Sequence, residues 1–96
     1  MLSPEKQLLT DFFEASRVYD TSVMARLSAL PLNPKTDGIV DAFDVQRVDH
    51  NDGGASNVTV TARVRRFDGQ VGNRQLVFVM IRRNGRLFIQ QWREIP

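Results

Sequence analysis

Ninety-six residues, 42% hydrophobic and 25% charged, are enough for one domain with one core, residues 1–96, and exclude a disordered or low-complexity chain. The absence of cysteine removes disulfide frameworks, thiolate metal sites and cysteine nucleophiles, and a zinc site built on the one histidine would lean on carboxylates, so no metal or cofactor is expected. The formal charge of +2 hides a split: residues 1–55 hold five Lys/Arg against nine Asp/Glu, whereas residues 56–96 hold eight Arg against Asp68 and Glu94.

Ser3-Pro4-Glu5 reads as a helix start: Ser caps free N–H groups, Pro fits the first helical position and Glu favours the positive end of the dipole. Lys6 at the third position leaves no full capping box. Leu8, Leu9, Phe12, Phe13, Ser16 and Tyr19 recur at three- and four-residue spacing, which predicts an amphipathic helix to about Tyr19. Asp20-Thr21-Ser22 offers a second cap. Val23, Met24, Leu27 and Leu30 then form another apolar stripe until Pro31 and Pro34 stop the helix, and residues 31–38 read as a loop.

Beyond Gly38 the period becomes alternating. A first strand, about Ile39 to Val48, has Phe43 and Val45 on one face and Val48 on the other, so a bulge is expected in it. Val58, Val60, Ala62 and Val64 alternate with polar residues as a half-buried strand, and Asp68-Gly69 marks the next turn. Asn84-Gly85 between two apolar runs predicts a two-residue type I′ hairpin with Arg83 opposite Arg86. An even-length loop at Asp68-Gly69 would then align Val58, Val60 and Val64 with Val77, Val79, Ile81, Phe88 and Trp92 as the core face under the helices. The second face carries Leu76, Phe78, Met80, Leu87 and Ile89, rimmed by polar residues that include Arg93. A solvated sheet face is normally polar, so Leu76, Phe78, Met80, Ile89 and Arg93 are the candidate partner surface, most simply of a twofold homodimer.

The order of elements resembles the nuclear transport factor 2-like superfamily of cystatin-like α+β cones. The resemblance rests on the helix carrying Phe12-Phe13-Glu14-Ala15, the break at Tyr19-Asp20, the short second helix ending in Leu27-Ser28-Ala29-Leu30, and the terminal hairpin closing on Trp92. It implies two N-terminal helices packed on a curved four-stranded antiparallel sheet, with a pocket inside the cone that Tyr19, Asp44, Gln90 and Trp92 could line. The family ordinarily has an aromatic just after the last turn, where this chain has Leu87. The resemblance supports fold more than function. The expected role is non-catalytic: a dimeric interaction module, or a module for a small-molecule or anionic ligand. The alternative is a small pocket enzyme of ketosteroid-isomerase type using Tyr19 with an acidic residue, for which no carboxylate can be placed beside Tyr19 from sequence. Small bacterial members of this kind are often domains of exported proteins. Residues 1–8 contain no apolar targeting segment, so the chain is expected to be either the mature part of such a protein or a cytoplasmic one.

Other motifs carry less. Asp49-His50-Asn51-Asp52-Gly53-Gly54 has the oxygens of a calcium loop, but its fifth position is Gly53 and its twelfth Val60, so it reads as a polar hairpin loop. Gln70-Val71-Gly72 matches only a fragment of an inhibitory loop, and Asn57-Val58-Thr59 matters as a glycosylation acceptor only in a eukaryotic secretory context. The arginines are scattered along strands without a nucleic-acid motif, so nucleic-acid binding is not expected, and no stretch approaches the ~20 apolar residues of a membrane span.

Overall fold

The structure, a computed structural model, describes residues 3–51 and 53–95. Asp52 of the calcium-loop motif and the first two residues of the N-terminal segment lie outside the described residues. The Ser3 hydroxyl oxygen accepts from the Lys6 amide at 3.2 Å, and helix α1 runs Pro4–Arg17, burying Leu8, Leu9, Phe12, Phe13, Ala15 and Ser16. It ends in a left-handed turn: Tyr19, at φ 52°, donates its amide to Ser16 O, and the Asp20 amide donates to Ala15 O. Asp20 then caps α2, Thr21–Leu27, accepting from the Val23 amide at 3.2 Å. Helix α2 stops short of Pro31. Ser28 is already extended and bridges in parallel to Ile89, and the Ala29 amide donates to Ile89 O at 2.8 Å. That short pairing partly covers a sheet edge that would otherwise offer unpaired backbone groups.

Four strands follow, β1 Ile39–His50, β2 Ser56–Arg65, β3 Val71–Arg83 and β4 Arg86–Ile95, antiparallel in the order β1-β2-β3-β4. Three register shifts shape the sheet. In β1 the unmatched residues are Asp41 and Gln46, and the second brings Val48 to the same face as Phe43 and Val45, as the broken alternation required. In β4 the unmatched residue is Gln90, which moves Trp92 opposite Phe78 where an unbroken hairpin would put Gln91.

The expected face assignment of β3 is reversed. The β2–β3 connection is the five residues 66–70, with Arg65 opposite Val71, so the partners of Val58, Val60 and Ser56 are Phe78, Leu76 and Met80. An odd loop inverts the parity an even one would give, and every side chain of β3 changes face. The core therefore holds Leu76, Phe78, Met80 and Ile89 against Val58, Val60, Ala62 and Val64, and α1 covers it with Leu9, Phe12 and Phe13. The predicted core members Val77, Val79, Ile81 and Phe88 stand on the far face. Trp92 stays inside because the Gln90 bulge inverts parity a second time. Phe78 meets Phe12 and Phe13 edge-on, with ring centroids 6.2 and 5.7 Å away, and Phe13 meets Phe43 at 5.0 Å.

One backbone position before β1 is sterically exacting. Gly38 is buried at φ +87°, and a Cβ there would lie 2.6 Å from Val64 Cγ1 and 3.1 Å from Arg65 O. Gly38→Ala is expected to cost roughly 2–3 kcal/mol, the left-handed penalty plus displacement of a buried valine, read as a lower urea midpoint at unchanged m-value.

Candidate functional site

The space between the helices and the sheet is filled, and the four expected pocket residues do not converge. Tyr19 sits half exposed on the α1–α2 turn, and Asp20, next in sequence, spends its carboxylate on the α2 cap. Asp44 is exposed on the far face of β1, opposite Thr61. Gln90 is the exposed bulge residue. Trp92 alone faces the core, 6.4 Å from Phe78, with Nε1 donating to Leu30 O at 3.3 Å. Between the core and the strand ends remains a cleft of about 90 Å³ touched by Leu32, Leu76 and Trp92, with the Arg74–Glu94 ion pair at its rim. That is well below the ~300 Å³ where ligand pockets begin.

The expected partner surface also needs correction. Leu76, Phe78, Met80 and Ile89 are buried beneath the helices, because the odd loop turned them inward. Arg93 keeps its outward position, since the loop and the Gln90 bulge each invert parity and cancel. The outward face instead carries Val77, Val79, Ile81 and Phe88. Val77 and Phe88 are each only 7% exposed although neither belongs to the helix-covered core cluster. The Arg83 guanidinium lies 4.9 Å above the Phe88 ring, and Thr59 and Arg93 flank Val77. Charge is graded across this face: β1 contributes Asp44 and Asp49 with Arg47, whereas β4 contributes Arg86 and Arg93.

One contact had no sequence signal. His50 and Ser56 are cross-strand neighbours, with His50 Nδ1 and Ser56 Oγ 2.9 Å apart. A nucleophilic dyad needs an accessible hydroxyl and a group orienting the imidazole. Ser56 is buried and, among the described residues, no third side chain bonds His50, so the pair closes the end of the sheet.

An open groove of about 1060 Å³ lies between α1, α2 and the β3–β4 turn. One wall comes from α1 and the junction, with Asp11, Glu14 and Asp20, and the other from the hairpin, with Arg83, Asn84 and Arg86. Val18, Val23, Leu27 and Leu87 supply its apolar surface, and Arg26 lies on α2. The carboxylates already have partners. Asp11 accepts from Gln7 Nε2 at 3.0 Å, Glu14 is 3.9 Å from Arg17, and Asp20 accepts from Val23 N and Ser22 Oγ. The ion pairs Arg17–Glu14, Arg47–Asp49, Arg65–Asp41 and Arg74–Glu94 leave Arg26, Arg83 and Arg86 without a carboxylate within 4.0 Å among the described residues.

The Val23 amide and then the Ser22 hydroxyl, by donating to the Asp20 carboxylate, hold its pKa below the usual 3.8. A depressed folded-state pKa means stability present above the unfolded value and lost as pH falls through the folded one. Asp20→Ala is therefore expected to lower Tm most at neutral pH, with the gap from the parent closing below about pH 3.8 in a melting series.

Among the described residues no helix is long and apolar enough to cross a membrane, and no group of three His, Asp or Glu is placed to hold a metal ion. No family model matches the chain, and neither a curated protein nor a solved structure matches it.

Proposed function

We propose that this chain is a non-catalytic interaction module of the nuclear transport factor 2-like kind, which works as a homodimer joined through the outward face of its sheet. The observation that carries this reading is the apolar strip Val77, Val79, Ile81 and Phe88 on the face opposite the helices. The size of the face supports it. Four strands of at least ten residues, about 4.8 Å apart and about 3.3 Å per residue, present a flat footprint of roughly 600 Å², and corrugation brings it near the ~800 Å² per partner of a standard interface.

Charge supports the same reading and orients it. A twofold axis parallel to the strands lays the acidic β1 of each copy over the more basic β4 of the other, whereas an axis across the strands stacks like edges on each other. For the fold family, two short helices on a curved meander and a terminal hairpin closing on Trp92 are the supporting features. The test is solution mass by light scattering across a concentration series at physiological salt. A mass twice the 10.9 kDa chain is expected, and a mass fixed at 10.9 kDa throughout would remove the homodimer.

A further inference from the structure

We propose that Asn84 is a site of covalent modification in the folded chain: the Asn84–Gly85 turn closes to a succinimide and reopens as aspartate or isoaspartate. The chemistry needs no partner but water. The Gly85 backbone nitrogen attacks the side-chain carbonyl carbon of Asn84, a C–N bond forms, and the amide group leaves as ammonia, taking the Gly85 proton with it. Water then cuts one of the two C–N bonds of the ring. Cutting at the former side-chain carbonyl gives aspartate, and cutting at the Asn84 backbone carbonyl gives isoaspartate. Asn84 and Gly85 are both exposed, and a Cβ built on Gly85 would meet nothing within 4 Å, so no side chain shields the nitrogen. In a two-residue turn the closing hydrogen bond joins Arg83 to Arg86, which leaves the Gly85 amide outside the ladder. Among the described residues that amide makes no hydrogen bond.

The fold protects two other places where the same ring could form. An Asp–Gly pair closes with loss of water in place of ammonia. At Asp68–Gly69, however, the Gly69 amide donates to Arg66 O at 2.9 Å, and Asp68 Oδ1 accepts from the Gln70 amide at 3.0 Å. At Asp37–Gly38, Asp37 Oδ2 accepts from the Asn33 amide at 2.9 Å, and Gly38 is buried against Val64. Asn57 and Asn73 lie within paired strands, and Asn33 precedes Pro34, which has no N–H to give up. What restrains Asn84 is the turn itself. At φ 53° and 79° the turn is closed, and it must open locally before the nitrogen can reach the side-chain carbon. Its closing pair adds no attraction: Arg83 and Arg86 are like charges directly opposed, and the Arg83 guanidinium lies over the Phe88 ring. Isoaspartate would add a methylene to the main chain of a two-residue loop and so spoil the geometry that sets Arg83 opposite Arg86.

The test is a time course on the full chain at neutral pH, folded in buffer and unfolded in guanidinium chloride, read by peptide mapping with mass spectrometry. Exchange of NH₂ for OH at Asn84 adds about 1 Da, and isoaspartate is separated from aspartate by its elution. In the folded chain Asn84 is expected to convert. The ratio of folded to unfolded rate should be at least ~10-fold higher at Asn84 than at Asp68, the loss that one held hydrogen bond predicts. Arg86→Glu, which makes the closing pair attractive, should slow conversion in the folded chain roughly 2- to 5-fold and leave the unfolded rate near the parent's. An Asn84 that stays intact in the folded chain while it converts in guanidinium chloride would overturn the proposal. So would equal rate ratios at Asn84 and Asp68, or an Arg86→Glu protein that converts at the parent's folded rate. None of these outcomes depends on the homodimer.

Discussion

Phe78→Glu is expected to abolish the folded state. Phe78 is fully buried in the centre of the core, edge-on to Phe12 and Phe13 and beside Trp92. Losing its ring costs about 3–5 kcal/mol from transfer and cavity alone. The introduced carboxylate must then either be buried unpaired, at several kcal/mol more, or be held protonated well above its usual pKa. Small domains have only about 5–15 kcal/mol to lose, so the sum reaches or exceeds the whole stability. Near-UV dichroism of the variant should be flat at 25 °C with no cooperative thermal transition, whereas Phe78→Leu should fold with a lowered Tm. A cooperative transition within a few degrees of the parent in Phe78→Glu would refute this placement of β3. The reading in which Leu76, Phe78 and Met80 form an exposed partner surface predicts the opposite, a folded and monomeric variant.

That reversal marks where the sequence ceases to be informative. The caps at Ser3 and Asp20, the Asn84-Gly85 hairpin and the alternation of β2 all rest on interactions within a few residues, and each is found where the residue types place it. The β1 bulge at Gln46 was legible too, because Val48 fell out of phase with Phe43 and Val45, although the other unmatched residue, Asp41, left no such trace. β3 is different: Leu76 to Ile81 is an unbroken apolar run, so hydrophobic alternation cannot say which parity faces the helices. The decision passed to the length of one loop, and five residues in place of an even number inverted the strand. At Gln90 the only hint was two consecutive glutamines between the apolar run Leu87-Phe88-Ile89 and Trp92. The groove was illegible for another reason. Its walls come from residues 11–27 and 83–88, which only the docking of α1 and α2 against β4 brings together.

Val79→Glu, one residue along the same strand, should leave the fold and remove the dimer. Val79 is half-buried on the outward face of an interior strand, between Asn57 and Gln91, so a glutamate there reaches solvent in the monomer. The cost to folding is expected at about 1 kcal/mol, the loss of a β-branched residue from a strand. In the dimer the same carboxylate lies in the middle of an isologous contact. Twofold symmetry buries one from each copy, and desolvation with like-charge repulsion together cost several kcal/mol. Association should weaken by at least ~100-fold, seen as a monomeric mass at concentrations where the parent is dimeric. Arg93→Ala, nearer the sheet edge, should weaken it far less but steepen its dependence on salt less than the parent's, since rim charges act mainly through screened, long-range attraction. The pair Phe78→Glu and Val79→Glu thus separates two faces of one strand. The first should fail to fold at any concentration, and the second should fold and stay alone. A Val79→Glu protein that dimerised with the parent's affinity would move the contact off the sheet.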